Sequence, residues 1–271
     1  MKVNLFDSHV HSDNSPDASH AVFYLCEKAR ENRIMGICVT DHFECDAKDI
    51  EAESIGIRQS AFEVERARLT FCRDIKLGKG IELGQGHLHP EIAAKITSSA
   101  DFDFVIGSVH TLPDGRDFYY LNYDDPDVII SDILEKYYQS QYEMAKWNGF
   151  DSLGHMGYPE RYIWGNYRIP INNEPYREII DETLKVLIQN GKALEVNTGA
   201  LRKGLGKTTA DRTVLARYRE LGGELITLGS DAHVAQHMAD GFDDAMDMLL
   251  TLGYRYFAFY SKRKPVMLRI L

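Results

Sequence analysis

The stretch Val3-Asn4-Leu5-Phe6-Asp7-Ser8-His9-Val10-His11-Ser12 sets the reading of the whole chain. Its apolar start is that of a short buried strand, expected over Val3–His9, which runs straight into an H-x-H pair. Seven more short runs rich in Val, Ile, Leu and aromatic residues follow: Gly36–Asp41, Lys76–Leu83, Phe102–Val109, Asp151–His155, Ala193–Asn197, Leu225–Gly229 and Tyr254–Phe259. Amphipathic segments fill the gaps and predict helices over Ala21–Asn32, Ile57–Arg73, Pro90–Ser98, Pro126–Asn148, Glu174–Asn190, Ala210–Leu221 and Gly241–Leu252. Gly191 is placed to cap the fifth of these; Thr208 followed by Asp211 resembles a cap opening the sixth, and Gly222 closes it. Strands alternating with helices read as βα units of a parallel sheet. No repeat or linker interrupts them, so residues 1–271 are read as one α/β domain. The polar loop Leu112–Pro126 is long enough to cover a site.

Composition narrows the chemistry. The chain has 271 residues, 44% of them hydrophobic, and 41 acidic against 31 basic residues give a net charge of −10. That balance argues against nucleic-acid and anionic-membrane partners, while leaving room for a small basic pocket that takes a phosphate. No apolar run approaches the roughly 20 residues needed to span a bilayer, and Met1–Asp7 lacks a leader-type apolar region. Cys26, Cys38, Cys45 and Cys72 show no C-x-x-C spacing, so free thiols in a reducing cytoplasm are expected. Cys45 reads as a small buried thiol.

The histidines carry the signal. His9 and His11 leave the first expected strand, His42 ends the second, Glu82 the third, His110 the fourth and His155 the fifth, and Asp231 and His233 follow the seventh. In a parallel barrel all strand C-termini open on one face, so these residues converge. Alternate residues share a side of a strand, and the H-x-H imidazoles can address one centre. Imidazole mixed with carboxylate suits Zn²⁺, Mn²⁺ or Fe²⁺, and the donors outnumber one tetrahedral site. Asp7 and Asp41 are expected to orient neighbouring histidines. His20, His87, His89 and His237 fit no pattern and are read as surface residues.

Arg161, Arg202 and Lys203 fall on the same face, and a guanidinium fork matches phosphate oxygens. Neither a G-x-x-x-x-G-K loop nor a G-x-S-x-G elbow is present.

Taken in order, H-x-H, T-D-H, G-I-E, S-V-H, G-H and S-D-A-H make the chain resemble the PHP metallophosphoesterases from His9 to about Pro265. Within that family it is most similar to the histidinol-phosphate phosphatases, through Glu195–Gly204, Ile226–His233 and Lys262–Pro265. The resemblance implies a distorted (β/α)7 barrel with a three-metal centre at the strand C-terminal face. One ion would be held by His9, His11, Glu82 and Asp231. A second would share Glu82 and add His110 and His155, and the third would use Asp17, His42 and His233. Many members carry His at the position of Asp17, and histidinol phosphatases often carry an acid where this chain has Gly157. The implied reaction is hydrolysis of a small phosphate monoester, L-histidinol phosphate first, by a hydroxide bridging the metals. Arg161, Arg202 and Lys203 would bind phosphate, and either Asp231 with His233 or a metal-bound water would protonate the leaving group. A phosphodiesterase or exonuclease and a non-catalytic metal-binding module are the rival readings. Oligomeric state is not legible.

Overall fold

A computed structural model of the protein describes residues 5–271; Val3 and Asn4 of the first expected strand, with Met1 and Lys2, lie outside the described residues. Ten strands form the sheet: β1 (Phe6–Val10), β2 (Gly36–Val39), β3 (His42–Glu44), β4 (Lys76–Gly84), β5 (Phe104–Ser108), β6 (Ser152–Leu153), β7 (Ala193–Asn197), β8 (Ile226–Gly229), β9 (Tyr256–Ser261) and β10 (Lys264–Arg269). Among the described residues nine α-helices accompany them: α1 (Val22–Glu31), α2 (Ile50–Phe71), α3 (Pro90–Thr97), α4 (Ile130–Trp147), α5 (Glu160–Ile163), α6 (Arg177–Gln189), α7 (Gly199–Arg202), α8 (Arg212–Glu220) and α9 (Phe242–Thr251).

The strands run in the order β1-β2-β4-β5-β6-β7-β8-β9-β10, parallel up to β9, with β10 antiparallel at the edge. The sheet curls until β1 meets β8. There a single parallel bridge, Val10 to Ala232, joins the two, with Asp231 N donating to His9 O at 2.9 Å and His11 N to Ala232 O at 2.9 Å. This mixed α/β arrangement is compatible with the expected distorted seven-stranded barrel. The apolar core lies between the strands and the helices around them, with a smaller cluster where α1 and α2 cover β1 and β2.

Several boundaries differ from the sequence expectation, each for a local reason. The second strand stops at Val39 because Asp41 turns off the sheet, its carboxylate accepting from Ser12 N and Oγ, Ser15 Oγ and Ser60 Oγ at 2.5–2.7 Å. The chain then restarts as β3, so His42 opens a strand rather than ending one. This is possible because β4 is nine residues long: its first half pairs with β2 and its second with β3, aligning His42 with Glu82. Helix α2 begins at Ile50 because Asp49 caps it by accepting from Ala52 N at 3.0 Å. Helix α4 begins at Ile130 rather than Pro126, the intervening residues forming turns on Asp125. The cap of α8 is Asp211, which accepts from Thr213 N and Val214 N, and not Thr208. Pro265 hides β10 in the sequence; an edge strand tolerates it.

The β9–β10 turn lies beside the N-terminal ends of β5 and β6, away from their histidines. Lys262 and Arg263 both take positive φ there, 51° and 62°. Two buried carboxylates hold them. Asp103 accepts from Lys262 N at 2.8 Å and Lys79 N at 3.1 Å and pairs with Arg68, while Asp151 pairs with Arg263 and accepts from Val105 N at 2.9 Å. Replacing Asp103 by Ala strands buried donors, so Asp103→Ala is expected to cost about 3 kcal/mol in chemical denaturation. Metal affinity of the folded fraction should be unchanged.

Candidate metal centre and its cavity

Glu82, fully buried near the end of β4, is the meeting point of the histidines. Its Oε1 lies 2.7 Å from His155 Nε2 and 3.2 Å from His110 Nε2; its Oε2 lies 3.0 Å from His42 Nδ1, 3.2 Å from His9 Nε2 and 3.5 Å from His11 Nε2. Burial alone would raise its pKa, but His9, His110 and His42 hold it well below the usual carboxylate range. Burial likewise opposes a charge on His9, yet Glu195 and Glu82 push its pKa well above the ordinary value. Surroundings that favour an imidazolium this strongly favour a cation of any kind at that point. His11, by contrast, is driven well below its ordinary value by burial and by His42 and His233.

The donor atoms fit a metal. His9 Nε2, His11 Nε2 and Glu82 Oε2 are buried without a hydrogen-bond partner. Asp231 Oδ1 stands 3.8 Å from His9 Nε2 and 3.5 Å from His11 Nε2. Four ligands at ~2.1 Å around a tetrahedral ion are spaced about 3.4 Å apart, which matches this set. The Glu82, His110 and His155 atoms are similarly close, with His110 Nε2 3.2 Å from His155 Nε2. Asp17 Oδ2 lies 3.0 Å from His233 Nε2, and Asp17 Oδ1 3.7 Å from His42 Nε2. His11 ligand atoms also come within 4.8 Å of those of His42 and His233, so the first and third groups adjoin. Asp17 is the one donor that is mostly exposed.

The imidazoles are oriented by groups other than those expected. His9 Nδ1 faces Glu195 Oε1 at 2.6 Å, His110 Nδ1 faces Glu44 Oε1 at 2.7 Å, and His11 Nδ1 is 3.3 Å from Ser15 Oγ. Asp41 acts only through Ser15, and Asp7 accepts from His9 N, Ser230 N, Ser230 Oγ and Ala239 N, which fixes backbone rather than a ring. Glu195 was legible in principle: a carboxylate between Leu194 and Val196 in a buried strand demands a partner. Glu44 repeats on β3 the alternate-residue logic of H-x-H. Asp231 takes a positive φ of 54°, a strained conformation held by its backbone bond to His9.

These residues open into a cavity of about 700 Å³ with two charged ends. At one end stand all three expected cations. Arg161 is buried, its guanidinium 3.9 Å from the Tyr158 ring centre, bonded to Asp231 Oδ2 at 2.9 Å and Tyr162 Oη at 2.8 Å, with Nε unpartnered. Arg202 gives one amino group to Ser230 O at 2.6 Å, and its other has no hydrogen-bond partner. Burial and Arg161 press the Lys203 pKa down to about 8. At the other end, missed by sequence reasoning, lie Glu44, Asp46, Glu53 and Asp117. Burial, with Glu44 and Asp46 close by, raises the pKa of Asp117, and burial raises that of Glu53. Tyr119 and Tyr120 of the Leu112–Pro126 loop also line the cavity, as expected of a covering loop.

His237 lines the cavity too, and His20, His87 and His89 are half-buried rather than exposed. Cys45 is buried with its thiol pKa raised by burial, and all four cysteines are free. No helix among the described residues is long and apolar enough to cross a membrane.

A family model described as the PHP domain matches residues 7–199. The chain belongs to the PHP family. It is 29% identical over 262 residues to a probable histidinol-phosphatase of Thermotoga maritima, covering 96% of this chain and 97% of that one. It is also 29% identical to a histidinol-phosphatase of Lactococcus lactis, over 95% of each chain. The solved Lactococcus lactis histidinol phosphate phosphatase, complexed with zinc, L-histidinol and phosphate, superposes with a TM-score of 0.81 at 26% identity, over 97% of this chain and 99% of that one.

Because Glu195 fixes the ring of His9, Glu195→Gln is expected to weaken Zn²⁺ affinity by roughly 10–100-fold, read by competition with a chromophoric chelator. The circular dichroism spectrum should be retained.

Proposed function

We propose that this PHP-family protein is a metal-dependent phosphatase that hydrolyses L-histidinol phosphate to L-histidinol and phosphate, a step of histidine biosynthesis in the cytoplasm. The observation that carries this reading is the polarity of the cavity: a cationic end, an acidic end and a cluster of buried metal donors along one wall. A phosphate monoester whose alcohol bears a positive charge matches that order. The kinship with histidinol-phosphatases and the zinc, histidinol and phosphate of the Lactococcus lactis structure support it. Four free thiols accord with a reducing compartment.

In this reading His9, His11, Glu82 and Asp231 hold one ion, Glu82, His110 and His155 a second, and Asp17, His42 and His233 a third, with Zn²⁺, Mn²⁺ or Fe²⁺ suited to the donors. When bound, such ions supply a nucleophilic water of lowered pKa and polarise the phosphoryl group. The protein does the rest. Arg161, stiffened by Tyr158 and Tyr162, lines the cavity and offers its guanidinium to the phosphoryl oxygens, and Arg202 and Lys203 complete the grip. Asp231 and His233, expected as the proton-donating pair, are both engaged: Asp231 with Arg161, and His233 with Asp231 O through Nδ1 and Asp17 through Nε2. The proton for the departing alkoxide is therefore assigned to water. Gly157 offers no acid to the substrate amine, and Glu160 behind it is bonded to Tyr138 and Asn173 and paired with Lys207. Asp46, Glu53 and Asp117 take that part instead.

The test is phosphate release by metal-reconstituted protein from L-histidinol phosphate beside glycerol 3-phosphate, p-nitrophenyl phosphate and single-stranded DNA. Preference for histidinol phosphate is expected, with loss of activity on chelation and in His110→Ala. Asp117→Asn should raise KM for histidinol phosphate about tenfold and leave that for glycerol 3-phosphate within about twofold. Full activity after metal stripping, or faster cleavage of DNA, would overturn the assignment.

Lys203 adds a pH signature. It is protonated below about 8 and neutral above it, so KM for the phosphate ester should rise as pH passes through that value. Lys203→Arg, which stays charged, should remove this limb of the KM profile.

A further inference from the structure

Helix α2 has an outer face that its own fold leaves unused. Its inner face is buried at Ile57, Ser60, Ala61, Val64, Ala67 and Phe71. Directly opposite, at seven-residue intervals, stand Ile55, Phe62 and Leu69, exposed by 56%, 61% and 75%. At 1.5 Å per residue these three span ~21 Å in a straight line. Large apolar side chains scattered singly on a surface need no explanation, but a heptad-spaced row along one helix is the seam of a helix–helix contact.

The charges beside the row identify the occupant. Arg58 and Glu65 flank Phe62 on one side, and Gln59 and Arg66 flank it on the other; all four are exposed. Within the chain Arg58 pairs with Glu51 at 2.9 Å and Glu65 with Arg68 at 2.9 Å and Lys79 at 2.7 Å, so a contact across copies extends these pairs into a network. We propose that the face is the interface of a homodimer, in which α2 packs antiparallel on α2 of a second copy about a two-fold axis at Phe62. In that pairing Phe62 meets Phe62, and Ile55 meets Leu69. A two-fold axis of this kind brings like flanks together, offset in opposite directions. Arg58, four residues before Phe62, then stands level with Glu65 of the second copy, three residues after it. The pair forms twice. Gln59 and Arg66 match likewise on the other flank. Parallel packing would set Arg58 against Gln59 and align the helix dipoles head to head. With Glu51, which pairs with Arg58, the face carries two arginines and two glutamates, so it lacks the acidic excess that makes copies of a −10 chain repel elsewhere.

Sedimentation velocity of the full chain over roughly 1–300 µM tests it. A concentration-dependent dimer is expected, and Phe62→Glu should leave a monomer whose circular dichroism and phosphatase activity are unchanged, since Phe62 touches neither core nor cavity. Arg58→Glu should weaken the dimer about tenfold, because it sets a glutamate level with Glu65 of the second copy at both positions. Arg58→Lys, which keeps the charge, should stay within about threefold of the parent chain. A monomer at every concentration overturns the proposal, whether another protein or none covers the face. So does a dimer that survives Phe62→Glu, or one that Arg58→Glu leaves as strong as the parent.

Discussion

A single buried carboxylate organises this protein. Glu82 has no exposure and stands within 3.5 Å of five imidazoles, those of His9, His11, His42, His110 and His155. A buried charge left alone would cost several kcal/mol, so its neighbours must be held in place as firmly as it is. That requirement reaches into the sheet. β4 must be long enough to carry Glu82 past the end of β2, β3 must restart beside it, and β5 and β6 must stop two residues short of their histidines. A slip of one residue in β4 would turn Glu82 towards the helices and leave the five rings without the carboxylate they share.

The charge on the cavity walls follows a second logic. Three cations gather at one end, with Asp231 bonded to Arg161, and four carboxylates at the other, and each end is strained: burial, Arg161 and Arg202 depress the Lys203 pKa, and burial, Glu44 and Asp46 raise that of Asp117. Strain of this kind is relieved by a ligand that carries the opposite charge at both ends. A simple phosphate would relieve one end alone. Selectivity for a dipolar ester then needs no close-fitting pocket around the alcohol; the separation of charge already favours it.

The sequence discloses the pieces that are local and conceals those that depend on packing. H-x-H after an apolar strand, and a histidine or acid after most later strands, suffice to place His9, His11, His42, Glu82, His110, His155, Asp231 and His233 on one face, because parallel strands bring their C-termini together whatever the helices do. The hairpin turn at Lys262 and Arg263 is hidden, since neither residue favours positive φ and the turn depends on Asp103 and Asp151 from distant strands. β3 is hidden because the break before it comes from serines of two segments, Ser12 and Ser15 after β1 and Ser60 in α2, converging on Asp41. Glu44 is an ordinary acid until the fold sets it 2.7 Å from a histidine ring, whereas Glu195, flanked by Leu194 and Val196, announces a need for a partner without naming His9, 2.6 Å away.

The seam between β1 and β8 ties these threads together. One bridge joins the two strands, where the neighbours from β1 round to β8 share ladders of two or more pairs. In place of a ladder the seam has the site's own bonds. His9 O accepts from Asp231 N, and Asp7 accepts from Ser230 N and Oγ. Gly229 permits the approach: a Cβ there would stand 2.2 Å from Glu195 Oε1 and 2.6 Å from His9 Cβ, so any side chain would part the pair that orients His9. The place where the sheet is most weakly closed is therefore the place where metal donors are densest. An ion shared by His9, His11, Glu82 and Asp231 would draw β1, β4 and the end of β8 together, which makes closing the sheet and filling the site two descriptions of one equilibrium.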